Sequence, residues 1–119
     1  MTPEELRRRT RDFSLRIVKL ASSLPHSREG DVFARQLVRC GTSVAANYRA
    51  ACRARSHAEF VAKIGIVEEE ADETVFWIEM AADAGLVAQR MIAELATEGR
   101  EILAIITASR KTARRVSPR

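Results

Sequence analysis

The run "RCGTSVAANYRA" at residues 39–50 sets Gly41, Thr42 and Ser43 between Arg39 and Arg49, residue types that can cradle a phosphate. A phosphate loop of the G-x-x-x-x-G-K-[ST] kind needs a second glycine to bring its backbone N–H groups to the anion, and a lysine to reach the outer phosphates. Neither stands at its position after Gly41, so this run is not such a loop. Neither His26 nor His57 belongs to a pattern that pairs it with a nucleophile or a second metal ligand. The acidic run of Glu68, Glu69, Glu70, Asp72 and Glu73 resembles the carboxylate ladder of metal-binding bundles, but those also need Glu-x-x-His motifs on facing helices, and none occurs. Cys40 and Cys52 fall on one predicted helix about 18 Å apart, too far for a disulfide. No catalytic, metal-ligating or cofactor-binding set emerges, so a non-enzymatic protein without a cofactor is expected.

The basic residues organise better. At about 100° per residue, Arg35, Arg39, Arg49 and Arg53 fall within roughly 80° of one another and form one stripe along a helix. The helix that follows, from His57, is mainly acidic, with Lys63 its one lysine or arginine before Asp83. A formal charge of +4 is modest; where the charge sits says more than its sum.

These residues need elements to position them. A chain of 119 residues supports a single domain with one core. Thr2-Pro3-Glu4-Glu5 is a helix start, and Leu6, Phe13, Ile17, Leu20 and Leu24 recur at helical spacing, giving a first helix over 3–23. "SSLPHSREGD" is a turn, with Ser27 and Asp31 as capping candidates, before a second helix over 29–54. Ser56 to Glu59 is another capping box, opening a third helix over 57–84 whose seam is Phe60, Ile64, Val67, Ala71, Thr74, Ile78 and Ala81, with Gly85 as its stop. A fourth helix over 87–112 carries Val87, Met91, Leu95, Ile102, Ile105 and Ile106, and the tail 113–119 is expected to fray. Strand signals are absent. Four amphipathic helices with short connections predict an all-α, antiparallel up-down-up-down bundle. No apolar run reaches the roughly 18 residues of a membrane span, so a cytoplasmic protein without a membrane partner is expected.

That topology gathers the start of helix 1, the end of helix 2, the start of helix 3 and the end of helix 4 at one end. There Arg7, Arg8, Arg9 and Arg11 meet Arg49, Arg53 and Arg55, and Arg110, Lys111, Arg114 and Arg115. A basic end of this kind suits nucleic-acid phosphates or an acidic protein. Off the seam of helix 3, Ile66, Phe76 and Trp77 sit beside Glu69, Glu70 and Glu73, which points to a second buried contact and hence to self-association. Gly41 and Ala45, four apart, form a groove for a close helix approach. Ser43 and Asn47 can hydrogen-bond across or along it, and Asn47 is expected to be buried.

The run Gly41 to Tyr48, Ala54, Arg55 and Ser56 before helix 3, Phe60 and Lys63, the stretch Glu70 to Thr74 and the Phe76-Trp77 pair together resemble one family. It comprises the four-helix-bundle proteins related to those encoded in bacterial 23S rRNA intervening sequences. Ala50, where the family often has Glu, and Glu69, where it often has Lys, depart from the pattern. The resemblance implies a homo-pentameric ring of antiparallel bundles without known catalysis, and relatives that bind a reverse transcriptase and nucleic acid. The expectation is therefore a homo-oligomer that binds RNA or DNA, or a nucleic-acid-handling protein, through its basic surface. The alternative is a protein-interaction scaffold in which helix 2 arginines pair with helix 3 carboxylates of a neighbour, so that Arg39→Glu gives monomers or dimers.

Overall fold

The Thr2 hydroxyl accepts the Glu5 backbone N–H at 3.1 Å while the Glu5 carboxylate accepts the Thr2 N–H at 3.1 Å, so two of the orphan donors at the first helix start are satisfied reciprocally. In the computed structural model, which describes residues 1–116, this starts α1, Pro3–Ser23. Ser27 caps α2, Arg28–Cys52, by accepting the Gly30 N–H at 3.0 Å. Ser56 caps α3, His57–Asp83, by accepting the Glu59 N–H at 3.1 Å. The return arm of that second capping box goes one residue astray, since the Glu59 carboxylate takes the N–H of Arg55, at 3.4 Å.

Gly85 ends α3 with φ of +79°, a left-handed conformation that costs glycine little. Its N–H donates to the Ala82 carbonyl at 3.0 Å and that of Leu86 to the Ala81 carbonyl at 2.9 Å, the paired bonds of a Schellman motif. α4 spans Gln89–Arg115 and departs from expectation at both ends. Ala88 precedes it and offers no side-chain cap, so the sequence carries no start signal there. At the other end Ala113 is buried, which carries the helix three residues past 112 into what was expected to be a frayed tail. Residues 117–119 of that tail lie outside the described residues.

Successive helices pack against one another, α1 and α4 meet more sparsely, and among the described residues α1 and α3 lie diagonally, their backbones farther apart than those of neighbouring helices. Antiparallel order shows in the long-range pairs: Phe33 packs on Trp77 while Arg39 reaches Glu73, Arg110 reaches Glu68 while Arg100 reaches Glu79. The result is an up-down-up-down bundle 52 Å long and 22 × 20 Å across. Phe13, Ile17, Leu37, Val44, Ile64, Val67, Ile78, Ile102 and Ile106 form its fully buried centre. Met91, expected on the seam of α4, is 68% exposed. Ile92 and Ala96 are buried instead; Met91 shares the face of Leu95 and Ile102 but lies in the first turn of α4, at the end of the bundle. Two buried threonines cost little: Thr10 donates to the Leu6 carbonyl at 2.9 Å and Thr74 to the Glu70 carbonyl at 2.6 Å.

Candidate functional site

α1 and α2 approach closely at Gly41. The Ile17 side chain packs directly over its Cα, and the Ser14 hydroxyl donates to the Gly41 carbonyl at 2.6 Å in a buried bond between the helices. Gly41, Ala45 and Tyr48 share a face, since four and seven residues bring the helix back within about 40°. Ser43 and Asn47 are turned away from it. The Ser43 hydroxyl donates to the Arg39 carbonyl at 2.8 Å, and the Asn47 amide to the Ser43 carbonyl at 2.9 Å, both within α2. Asn47 is therefore half-buried and bonded along its own helix, not buried as expected. The bond that crosses between helices comes from Ser14, which the spacing argument did not single out.

Beside this approach, small residues leave a groove of about 780 Å³ on the outer surface. Arg7, Arg8, Arg11, Leu15 and Val18 line one wall and Thr42, Ala45, Ala46, Arg49 and Arg53 the other. Among the described residues, none of these five arginines makes an ion pair. Elsewhere four arginines are neutralised, while Arg16, Arg28, Arg35, Arg55, Arg90, Arg114 and Arg115 also make no ion pair among the described residues but do not gather in this groove. Arg9 bonds Glu98 at 2.6 Å and Glu101 at 2.8 Å across α1 and α4. Arg39 meets Glu70 at 3.5 Å and Glu73, Arg100 meets Glu79 at 3.3 Å, and Arg110 meets Glu68 at 2.8 Å. Of the expected basic end, Arg9 and Arg110 thus drop out. Arg55 and Lys111 are exposed outside the groove, and Arg35 lines a second depression of about 680 Å³ with Ala21, Ser22, Ala34 and Val38. Clustered guanidinium groups with no carboxylate among them raise a positive potential that reaches about 10 Å at 0.1 M salt.

On α3, Ile66, Glu69, Glu73, Phe76 and Met80 fall within about 80° and form one outward stripe. Ile66 is 37%, Phe76 50% and Met80 37% exposed. Trp77 differs from its neighbour. Its ring packs edge-on against Phe33 of the same chain, with centroids 5.2 Å apart, and its Nε1–H donates to Glu73 at 3.2 Å. Burial pushes the Glu70 carboxyl above its ordinary range, opposed by Arg39, and also pushes up the Cys40 thiol and the Tyr48 hydroxyl. The hydrogen bond to Glu98 holds the Arg9 guanidinium still more firmly protonated. Among the described residues no three His, Cys, Asp or Glu side chains group as metal ligands, and no helix is long and apolar enough to cross a membrane.

The antiparallel four-helix bundle defines the class of this protein. Residues 4–108 match the family described as 23S rRNA-intervening sequence protein, and the chain belongs to that family. It is also similar to a solved structure of a protein of unknown function from the S23 ribosomal protein family of Bacteroides thetaiotaomicron. The two are 29% identical, with a TM-score of 0.86 over 93% of this chain and 99% of that one. No curated protein matches the chain.

Proposed function

We propose that this chain is a non-enzymatic, homo-oligomeric bundle that binds nucleic acid through the arginine groove between α1 and α2. The observation that carries this reading is the absence of any ion pair at Arg7, Arg8, Arg11, Arg49 and Arg53 among the described residues. Like charges gathered without carboxylates favour a polyanion, and arginine forks suit phosphate oxygens. Such contacts position a backbone and read no sequence. The homo-oligomeric half of the proposal is supported by Ile66, Phe76 and Met80, aligned and exposed on one helix.

The test is an anisotropy titration with labelled single-stranded RNA and duplex DNA across a salt series. Binding should weaken steeply with salt, with a log–log slope approaching about −4 if five phosphates are neutralised. The Arg7→Glu, Arg8→Glu, Arg53→Glu triple variant should lose binding, while Arg90→Glu, at the start of α4, should keep it. No affinity for either nucleic acid at low salt would overturn the proposal. A protein-interaction scaffold is the second reading, favoured by the apolar floor of the groove, where Leu15 is 54% and Val18 36% exposed.

A further inference from the structure

The helices leave a cavity of about 440 Å³ where α1 and α3 start and α2 and α4 end, within the roughly 300–1,000 Å³ range of small-ligand sites. Leu6, Ala51, Phe60 and Ile105 give it apolar walls, and no carboxylate of the described residues lines it. Tyr48 is 6% exposed, and its hydroxyl bonds no nitrogen or oxygen among the described residues, with only the Cys52 thiol, a weak partner, beside it. No side-chain nitrogen or oxygen sealed from water lacks a partner among the described residues. This hydroxyl is therefore not sealed, and it opens on the cavity that Tyr48 lines. Arg7 lines both this cavity and the arginine groove between α1 and α2, so the two meet at one guanidinium.

We propose that the cavity seats one unstacked base of a single-stranded nucleic acid whose phosphates follow the arginine groove. The inference rests on the nucleic-acid half of the function proposed above and adds to it a preference for single strands. A base is flat and apolar on its faces and carries hydrogen-bonding groups along its edge. Phe60, half-buried in the cavity wall, offers an aromatic face to stack on. The Tyr48 hydroxyl both donates and accepts, so it serves the edge of any base and reads little sequence. A phosphate held on Arg7 leaves its own base beside the cavity mouth. A base paired in a duplex enters only if it is flipped out of the stack, at a cost that a single strand does not bear. A free nucleotide meets Arg7 alone, whereas a strand also meets Arg8, Arg11, Arg49 and Arg53, which favours the strand.

Anisotropy at low salt tests this with labelled oligomers of equal length: oligoadenylate RNA, duplex DNA, and a strand of abasic residues that keeps the phosphates and lacks the bases. Oligoadenylate should bind about tenfold more tightly than the abasic strand. Phe60→Leu, which keeps an apolar group against the core, should weaken oligoadenylate binding about tenfold, and Tyr48→Phe, which removes one hydroxyl, about threefold. Both should leave the abasic strand, the salt slope and the helical circular dichroism unchanged. Cys52 in the cavity wall is an independent reporter. Saturating oligoadenylate should slow its alkylation at least about tenfold, and the abasic strand and the duplex should not. Equal affinity for oligoadenylate and the abasic strand, or a Cys52 alkylation rate that oligoadenylate leaves unchanged, overturns the base pocket and leaves the groove standing. Protection of Cys52 by adenosine monophosphate as complete as that by the strand, at the same concentration, overturns the strand in favour of a small nucleotide. No binding of any oligomer overturns the proposed function and this inference together.

Discussion

Ile17 fills the space that a side chain at position 41 would need: its Cβ stands 2.9 Å from where a β-carbon on Gly41 would lie. Gly41→Ala gains about 1 kcal/mol of helix propensity but forces the α1/α2 contact apart, an overpacking that costs about 1–3 kcal/mol. A net loss of stability is expected, read as a lower urea midpoint. Ile17→Val should give no relief, since it keeps Cβ and both Cγ atoms. Ile17→Ala removes the Cγ atoms, so the Ile17→Ala, Gly41→Ala double variant should lose less than the sum of the two single changes.

Arg9 ties α1 to α4 through Glu98 and Glu101 where these helices otherwise meet sparsely. Its side chain is 25% and that of Glu98 21% exposed, so screening is partial. Arg9→Gln should lower stability by about 1 kcal/mol, more at low salt than at high. Arg9→Lys should recover little of this, because two bonds of the fork go to Glu98 and a point charge cannot repeat them. Denaturant melts at two ionic strengths check both statements.

The helices were legible because their ends carry local chemistry. Thr2, Ser27, Ser56 and Gly85 all act at the termini where their types predict. α4 was misplaced at its start because Ala88 carries no capping group, and at its end because burial of Ala113 is a tertiary fact. The candidate site was half legible. Topology could bring Arg7, Arg8, Arg49 and Arg53 together, but Arg9 and Arg110 are removed from the free charge by Glu98 and Glu68, residues 89 and 42 positions away. Periodicity placed Phe76 and Trp77 off the seam alike; only the fold sets Phe33 against one of them.

The two cysteines should separate by reactivity. Cys40 is fully buried, its thiol is pushed up by burial, and the thiolate is the reactive form. Cys52 is half-buried at the end of α2. A thiol reagent under native conditions should therefore label one equivalent quickly and the second at least about tenfold more slowly. Cys52→Ser should abolish the fast phase. A fast phase that survives in Cys52→Ser would mean that α2 opens around Cys40.

Arg39 pairs with Glu70 and Glu73 of its own chain, so Arg39→Ala should disturb the nearby Trp77 fluorescence and leave the mass of any assembly unchanged. Glu70 adds a pH dependence of known sign. Burial raises its folded pKa above the unfolded value, so the folded state holds the proton more tightly. That contribution to stability is fully present below the unfolded pKa and is lost as pH rises through the folded one. Glu70→Gln, which cannot ionise, should match wild type at about pH 4, near the ordinary carboxylate pKa, and gain on it toward about pH 7. The gain should stay below about 1 kcal/mol, because Arg39, 3.5 Å away, offsets part of the burial cost. Urea midpoints of both proteins at the two pH values decide the matter. A Glu70→Gln variant that falls further behind wild type as pH rises would show that the Arg39 pair outweighs burial.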